Sequence, residues 1–256
     1  MATLLLATLV LALLNLVAKP PQVWAQRPGV LETTFNTAVG TSFGAVTDLV
    51  KDGSGNIYVA YGSTIKKLTS AGATSLTITA ADTVNGIAVD SAGNIIVATR
   101  IKSIYRYTSA GALDTTFNTN SYAGSTAAGN YLSNSVLSGV AVQTVTNGRI
   151  IVTSAGANGT NRLVGVQDLP TTTSNAGKLD STFTQTSITS TMGTPSGLSL
   201  DSSNNIYVMG PVGMGYVKRL SPNGTFSTAD NTFNTAITSG LSSTPTDVTV
   251  DSLGNV

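Results

Sequence analysis

The chain has 256 residues, of which 41% are hydrophobic and 10% charged, with a formal net charge of +1 and neither Cys nor His. This excludes disulfides, thiolate and imidazole metal ligands, and Cys or His catalysis, and it removes the electrostatic case for nucleic acid or acidic lipid. The charged share is far below the usual figure of about 25%, so Thr, Ser, Asn and Gly make the surface polar, and these residues suit strands and turns better than long amphipathic helices.

The first predicted element is a leader. Thr3 to Ala18 is an apolar run interrupted by Thr8 and Asn15, shorter than the roughly 20 residues a spanning helix needs. Lys19-Pro20-Pro21 breaks any helix there. Val23 and Ala25 then give the small-residue pattern of a cleavage site, with the cut before Gln26. Residues 1–25 are expected to be a signal peptide and 26–256 a β-propeller repeat domain, secreted or on the cell surface, with no membrane span after cleavage. No Lys or Arg precedes the apolar run, so an uncleaved membrane anchor is the alternative.

The rest of the chain repeats itself. Val46–Tyr61 (VTDLVKDGSGNIYVAY) recurs as Val84–Thr99 (VNGIAVDSAGNIIVAT) and Pro195–Gly210 (PSGLSLDSSNNIYVMG), and Pro245–Val256 begins another copy. Leu137–Ser154 is a looser copy with Gln143 in place of the Asp. Each reads as a strand, a tight turn in which Asp binds backbone N–H groups and Gly supplies positive φ, and a β-branched returning strand. A third strand follows at Thr64–Leu68, Ser103–Tyr107 and Tyr216–Leu220.

A second marker comes next, at Leu113–Thr119 (LDTTFNT), Leu179–Gln185 and Ala229–Thr235. Leu31–Thr37 (LETTFNT) matches it and reads as the tail strand of a preceding unit. Phe35, Phe117, Phe183 and Phe233 are then equivalent, packing fourth strands against the next unit. In the first unit Ser75–Ala81 takes the marker's place. Asp52, Asp90, Gln143, Asp201 and Asp251 set a mean period of about 50 residues, the spacing of four-stranded propeller blades.

At these residues the chain resembles known repeat families. The G-[IL]-x-[VL]-D-x-x-[GN]-N-[IV] hairpins look like NHL-type repeats, and the LDTTFNT marker looks like the delta-60 repeats of secreted and surface propellers. The resemblance spans Leu31 to Val256 and implies an all-β fold, a β-propeller of four-stranded blades. The repeats count about four complete blades plus partial ones, and because the middle strands needed to close the last blade are missing, the chain is expected to be a fragment of a larger propeller. NHL-type relatives are mostly interaction platforms, and some are hydrolases or lyases that use acids, His or a metal in the channel.

The function expected is therefore a non-catalytic binding or surface-interaction module. Its partner would be a protein, peptide or glycan on the loop face, with no cofactor, no nucleic acid and no assigned catalytic or metal residues. A channel metal hydrolase or lyase and a structural passenger of a surface array are the alternatives. Variable loops on a rigid scaffold are where binding resides, so Tyr122, Tyr131, Arg162 and Asp168 are the candidate ligand contacts. The repeated turn aspartates read as structural, because one carboxylate per turn lacks the ligand density of a calcium loop. The basic pairs Lys66-Lys67 and Lys218-Arg219, with Arg106 between two tyrosines, read as repeat positions with one member of each pair solvated.

Overall fold

In the computed structural model the structure describes residues 33–39, 43–100, 103–117, 135–144, 148–156, 161–169, 175–188, 193–210, 217–226, 233, 247–251 and 255–256. The expected signal peptide, Tyr122 and Tyr131 lie outside the described residues. No helix among the described residues is long and apolar enough to cross a membrane.

The described residues build four antiparallel sheets in sequence order, each a meander. The first blade is β1 (Val46–Lys51), β2 (Ile57–Tyr61), β3 (Thr64–Leu68) and β4 (Thr74–Thr79). The second is β5 (Val84–Val89), β6 (Ile95–Thr99) and β7 (Ile104–Tyr107), and the third is β8 (Ser135–Gln143), β9 (Arg149–Gly156), β10 (Arg162–Gln167) and β11 (Thr186–Ser187). The fourth is β12 (Gly197–Leu200), β13 (Ile206–Met209) and β14 (Val217–Leu220). The first strands of the four blades lie side by side in chain order. The repeat thus produces what its period predicts, a β-propeller.

The hairpin turns explain why the repeated Asp is there. Asp52 Oδ1 accepts from the N–H groups of Ser54 and Asn56, and Oδ2 accepts from Asn56 Nδ2 and Tyr58 Oη. Asp201 makes the same set with Ser203, Asn205 and Tyr207. Each carboxylate is consumed by its own turn, as the structural reading expects. Partial burial acts to raise the Asp52 carboxyl, but these donors together hold it below its ordinary value. Gly55 and Gly93 carry the positive φ that the turn needs (83° and 81°), and Asn204 takes that role in the fourth blade at 65°.

The core lies between blades. Tyr58, Ala60 and Ile65 of the first blade pack on Ile87, Ile95 and Val97 of the second. Ile96, Ala98 and Phe117 of the second meet Val140, Ile150 and Val152 of the third. Ile151, Leu163 and Phe183 of the third meet Ile206, Val208 and Leu220 of the fourth. β6 is buried along its whole length because it contributes to two such layers, Ile95 and Val97 to one side and Ile96 and Ala98 to the other.

The second marker departs from expectation. It is not a strand: Thr33–Val39 is an α-helix (α1), Thr115–Phe117 is a helical turn, and Ser181–Phe183 is a turn that precedes the short β11. The Asp of the marker explains this. Asp114 Oδ1 accepts the N–H of Phe117, and Asp180 Oδ1 accepts both the N–H and the hydroxyl of Thr182, local bonds that favour a cap or turn over a ladder. The marker phenylalanines nevertheless pack against the following blade, as expected. A methyl group on Gly224 would come within 2.5 Å of Phe183 Cζ, and one on Gly72 within 3.2 Å of Phe35 Cδ2. Helix α1 therefore sits on the first blade as the third blade's marker sits on the fourth.

Candidate functional site

The first strand of a blade begins with an irregularity. Pairing shifts between Val46 and Asp48, between Val84 and Gly86, and between Leu137 and Gly139. The extra residue in each case is Thr47, Asn85 or Ser138. A bulge bends its strand and re-aims a side chain, and these three residues line one pocket of about 390 Å³ together with Ser196. The next position in each blade is Asp48, Gly86, Gly139 or Gly197, and Asp247 holds it in the last copy; all five line the same pocket. The pocket is thus the mouth of the channel around which the first strands stand.

The glycines at this ring permit close approach. A methyl group on Gly139 would lie 3.0 Å from the backbone N of Leu198, and one on Gly197 would lie 2.5 Å from Met209 Cε. Asp48 uses the space over Gly86 to bind the neighbouring blade. Its Oδ2 accepts the N–H of Ile87 at 2.7 Å, and Oδ1 accepts the N–H of Leu49 at 2.7 Å. Asn85 makes the next link, donating through Nδ2 to the carbonyl of Leu137 at 2.9 Å. Burial pushes the Asp48 carboxyl above its ordinary value; the two N–H donors oppose this, and the Asp247 carboxylate adds to it. Two carboxylates therefore face one small polar pocket.

A second pocket, of about 750 Å³, lies at the opposite, turn end of the second and third blades, beside Asp90, Asn94, Gln143 and Asp168. Here the structure places Asp168, just after β10, and gives it a buried partner. Arg106 Nη1 donates to Asp168 Oδ1 at 2.8 Å, Arg106 Nε donates to Asp114 Oδ2 at 2.8 Å, and the guanidinium lies over the Phe117 ring at 4.6 Å. Arg106 is 1% exposed, so the basic–aromatic run that holds it is a structural position at a core junction. Desolvation pushes the Asp168 carboxyl up to about 6, with repulsion from Asp90 adding and the Arg106 hydrogen bond opposing. One guanidinium serves two buried carboxylates, so the cluster keeps an excess negative charge.

The third blade repeats this junction with its parts moved. Gly165 holds the strand position of Arg106, since Asp180 N–H donates to the Gly165 carbonyl as Asp114 N–H donates to that of Arg106. Phe183 fills the space over Gly165, where a methyl group would come within 2.5 Å of its Cγ. The guanidinium comes instead from Arg149 on β9. It pairs with Asp180, donates to Gln143 Oε1 and the Pro222 carbonyl at 2.9 Å each, and lies 5.3 Å from the Phe183 ring. Pro222 lies just past β14 as Asp168 lies just past β10, so in both junctions the arginine of one blade bonds a residue within two positions of the end of the third strand of the next.

Arg162 is not brought together with Asp168. It opens β10, opposite Ser154, which in turn faces Leu137, so it stands at the channel-mouth end of its blade. Lys66 and Lys67 are both half-buried, with Lys66 Nζ over Phe43 at 5.5 Å and Lys67 Nζ over Tyr58 at 5.2 Å, so the pair does not divide into one buried and one exposed member. The pocket residues Asp48, Asn85, Ser138, Ser196 and Asp247 were not singled out in the sequence. The signal that finds them is a break in the repeat, where Asp48 and Asp247 stand at the position held by Gly in the other copies.

No protein-family model and no curated protein matches the chain. Solved propellers are similar to it in structure. The Dos1 propeller matches with a TM-score of 0.50 at 11% identity, over 72% of this chain and 46% of that one. The Pan2 WD40 domain of Neurospora crassa matches with a TM-score of 0.49 at 11% identity, over 72% and 49% of the two chains. The WD40 repeats of RRP9 give 0.48 at 15% identity, over 70% and 48%. The chain spans about half the length of each of these three structures. At such identities the likeness is one of fold, and the fold is a β-propeller of antiparallel three- and four-stranded blades.

Proposed function

We propose that the chain is an exported, non-catalytic interaction module of the delta-60 or NHL-like kind, and that its channel mouth receives a basic side chain of a protein partner. One observation carries this reading: Asp48 and Asp247 face the same pocket of about 390 Å³. Asp48 is already oriented by two backbone donors, so a lysine or arginine entering the mouth meets a fixed acceptor and does not have to order one. Thr47, Asn85, Ser138 and Ser196 supply the polar rim, and Arg162 stands at the same end of its blade. The apolar leader at residues 3–18 and the small-residue site before Gln26 support export.

The channel hydrolase or lyase draws on the same two carboxylates and is weaker. Among the described residues no three Asp, Glu, His or Cys side chains converge to hold a metal. The test is a peptide array probed with the full chain and with the Asp48→Asn/Asp247→Asn double variant. Peptides carrying an exposed Lys or Arg are expected to bind the wild type and lose binding to the variant. Binding should also fade on acidification, because the raised Asp48 carboxyl takes up a proton early. Selection of acidic or purely apolar peptides, or equal binding by the variant, would sink the reading.

A further inference from the structure

In the first and fourth blades a tyrosine joins the turn to the third strand. Tyr58 pairs with Lys67 across the ladder, and Tyr207 pairs with Arg219. Each phenol donates to the second oxygen of its turn carboxylate, Tyr58 to Asp52 and Tyr207 to Asp201, both at 3.2 Å. Each also bonds the cation opposite, Lys67 or Arg219. One hydroxyl thus bridges carboxylate and cation in both blades.

The second blade has the two ends of this bridge without its middle. Asp90 holds the turn and Arg106 the third strand, but Ile96 stands opposite Arg106 where the other two blades have tyrosine. Ile96 is buried against the third blade. Asp90 keeps its local donors, the N–H groups of Ala92 and Asn94 on Oδ1 and Asn94 Nδ2 on Oδ2. No hydroxyl completes the set, and Arg106 turns instead to Asp114 and Asp168. The pocket of about 750 Å³ opens among these groups, lined by Asp90, Arg106 and Asp168 with Ala92, Val142 and Leu169 beside them.

Asp168 is the group this arrangement leaves short. Its side chain is 4% exposed and lines the pocket. Oδ1 accepts from Arg106 Nη1, and among the described residues nothing donates to Oδ2. A buried acceptor without a donor costs free energy, and repulsion from Asp90 and Asp114 adds to that cost. A donor that carries positive charge offsets both. The volume suits a small molecule, and Ala92, Val142 and Leu169 offer it an apolar wall.

We propose that the turn-end pocket between the second and third blades binds a small organic ammonium compound. Its ammonium group lies between Asp90 and Asp168, and its apolar part lies on Val142 and Leu169. This site shares no lining residue with the channel mouth, so it stands or falls apart from the reading given above for that end.

The probe is n-butylammonium, titrated into the full chain and followed by the amide shifts in NMR. Saturable shifts are expected at Ala92, Gly148 and Leu169, all in the pocket lining. Butanol has the same body without the charge and should bind at least about tenfold more weakly, and Asp168→Asn should weaken n-butylammonium by a similar factor, the loss of one charge-assisted hydrogen bond. Ile96→Tyr supplies the phenol found in the first and fourth blades and should weaken binding as well. Circular dichroism checks both folds; Asp168→Asn, which changes charge and little volume, decides if the larger ring is not accepted. No saturable shifts at these amides, shifts confined to Leu49 and Gly86 at the channel mouth, equal binding of butanol, or indifference to Asp168→Asn would overturn the proposal.

Discussion

Replacing Asp168 with Asn should make the protein more stable at neutral pH and should do so less at acid pH. Asp168 is held near 6 in the folded protein against an ordinary value of 3.8, because burial and the Asp90 charge outweigh its bond to Arg106. A carboxyl raised on folding binds its proton more tightly in the folded state. The stability it contributes is complete below about pH 3.8 and is lost as pH rises through about 6. At about 1.4 kcal/mol per tenfold change, that fall amounts to about 3 kcal/mol. In Asp168→Asn the amide oxygen still accepts from Arg106 Nη1, but nothing at this position titrates. The stability difference between variant and wild type should therefore grow by up to about 3 kcal/mol between about pH 4 and about pH 7.5, read as urea midpoints and slopes at the two values. A difference that stays constant within about 0.5 kcal/mol would refute the view that Asp168 is a buried carboxyl in excess over its guanidinium.

Two further substitutions probe the third blade. Arg149→Met removes the partner of Asp180 and the donor to Gln143 and Pro222; it should cost about 3–5 kcal/mol in urea unfolding, the usual loss when a buried charge is left without its partner. A cost below about 1 kcal/mol would mean the pair behaves as a surface pair. Gly165→Ala drives a methyl group into the Phe183 ring and should destabilise by about 1–3 kcal/mol, with Phe183→Leu in the same chain recovering part of the loss in Tm.

The hairpins were legible in the sequence because their determinants are local. The Asp of Val84–Thr99 finds its partners within four residues, at Ala92 and Asn94, and strand alternation is visible within one copy. The interlocks were not legible, because their partners are far apart: Arg106 and Asp168 are separated by 62 residues, and Arg149 and Pro222 by 73. Arg106 between two tyrosines reads as a repeat position, but nothing near it in sequence names Asp168 as its partner. The marker was misread as a strand because TTFNT is rich in β-favouring residues. The capping bonds of the Asp before it overrule that preference. At the channel mouth, the bulges that bring Asn85 and Ser138 to one pocket depend on pairing register, which composition does not reveal.

The migration of the guanidinium from the third strand of one blade to the second strand of the next bears on how such a chain can be rearranged. Each of these two junctions is keyed, with the cation on one unit and its acceptor on the following one: Asp168 answers Arg106, and the Pro222 carbonyl answers Arg149. Deleting the third unit, or duplicating the fourth behind the second, would set Arg106 against a backbone carbonyl in place of Asp168, so the junction would keep a hydrogen bond and lose its titrating carboxyl. The order in which the units stand therefore sets the pH response of the array, and shuffled arrays of the same units should differ in acid and neutral stability although their repeats are alike.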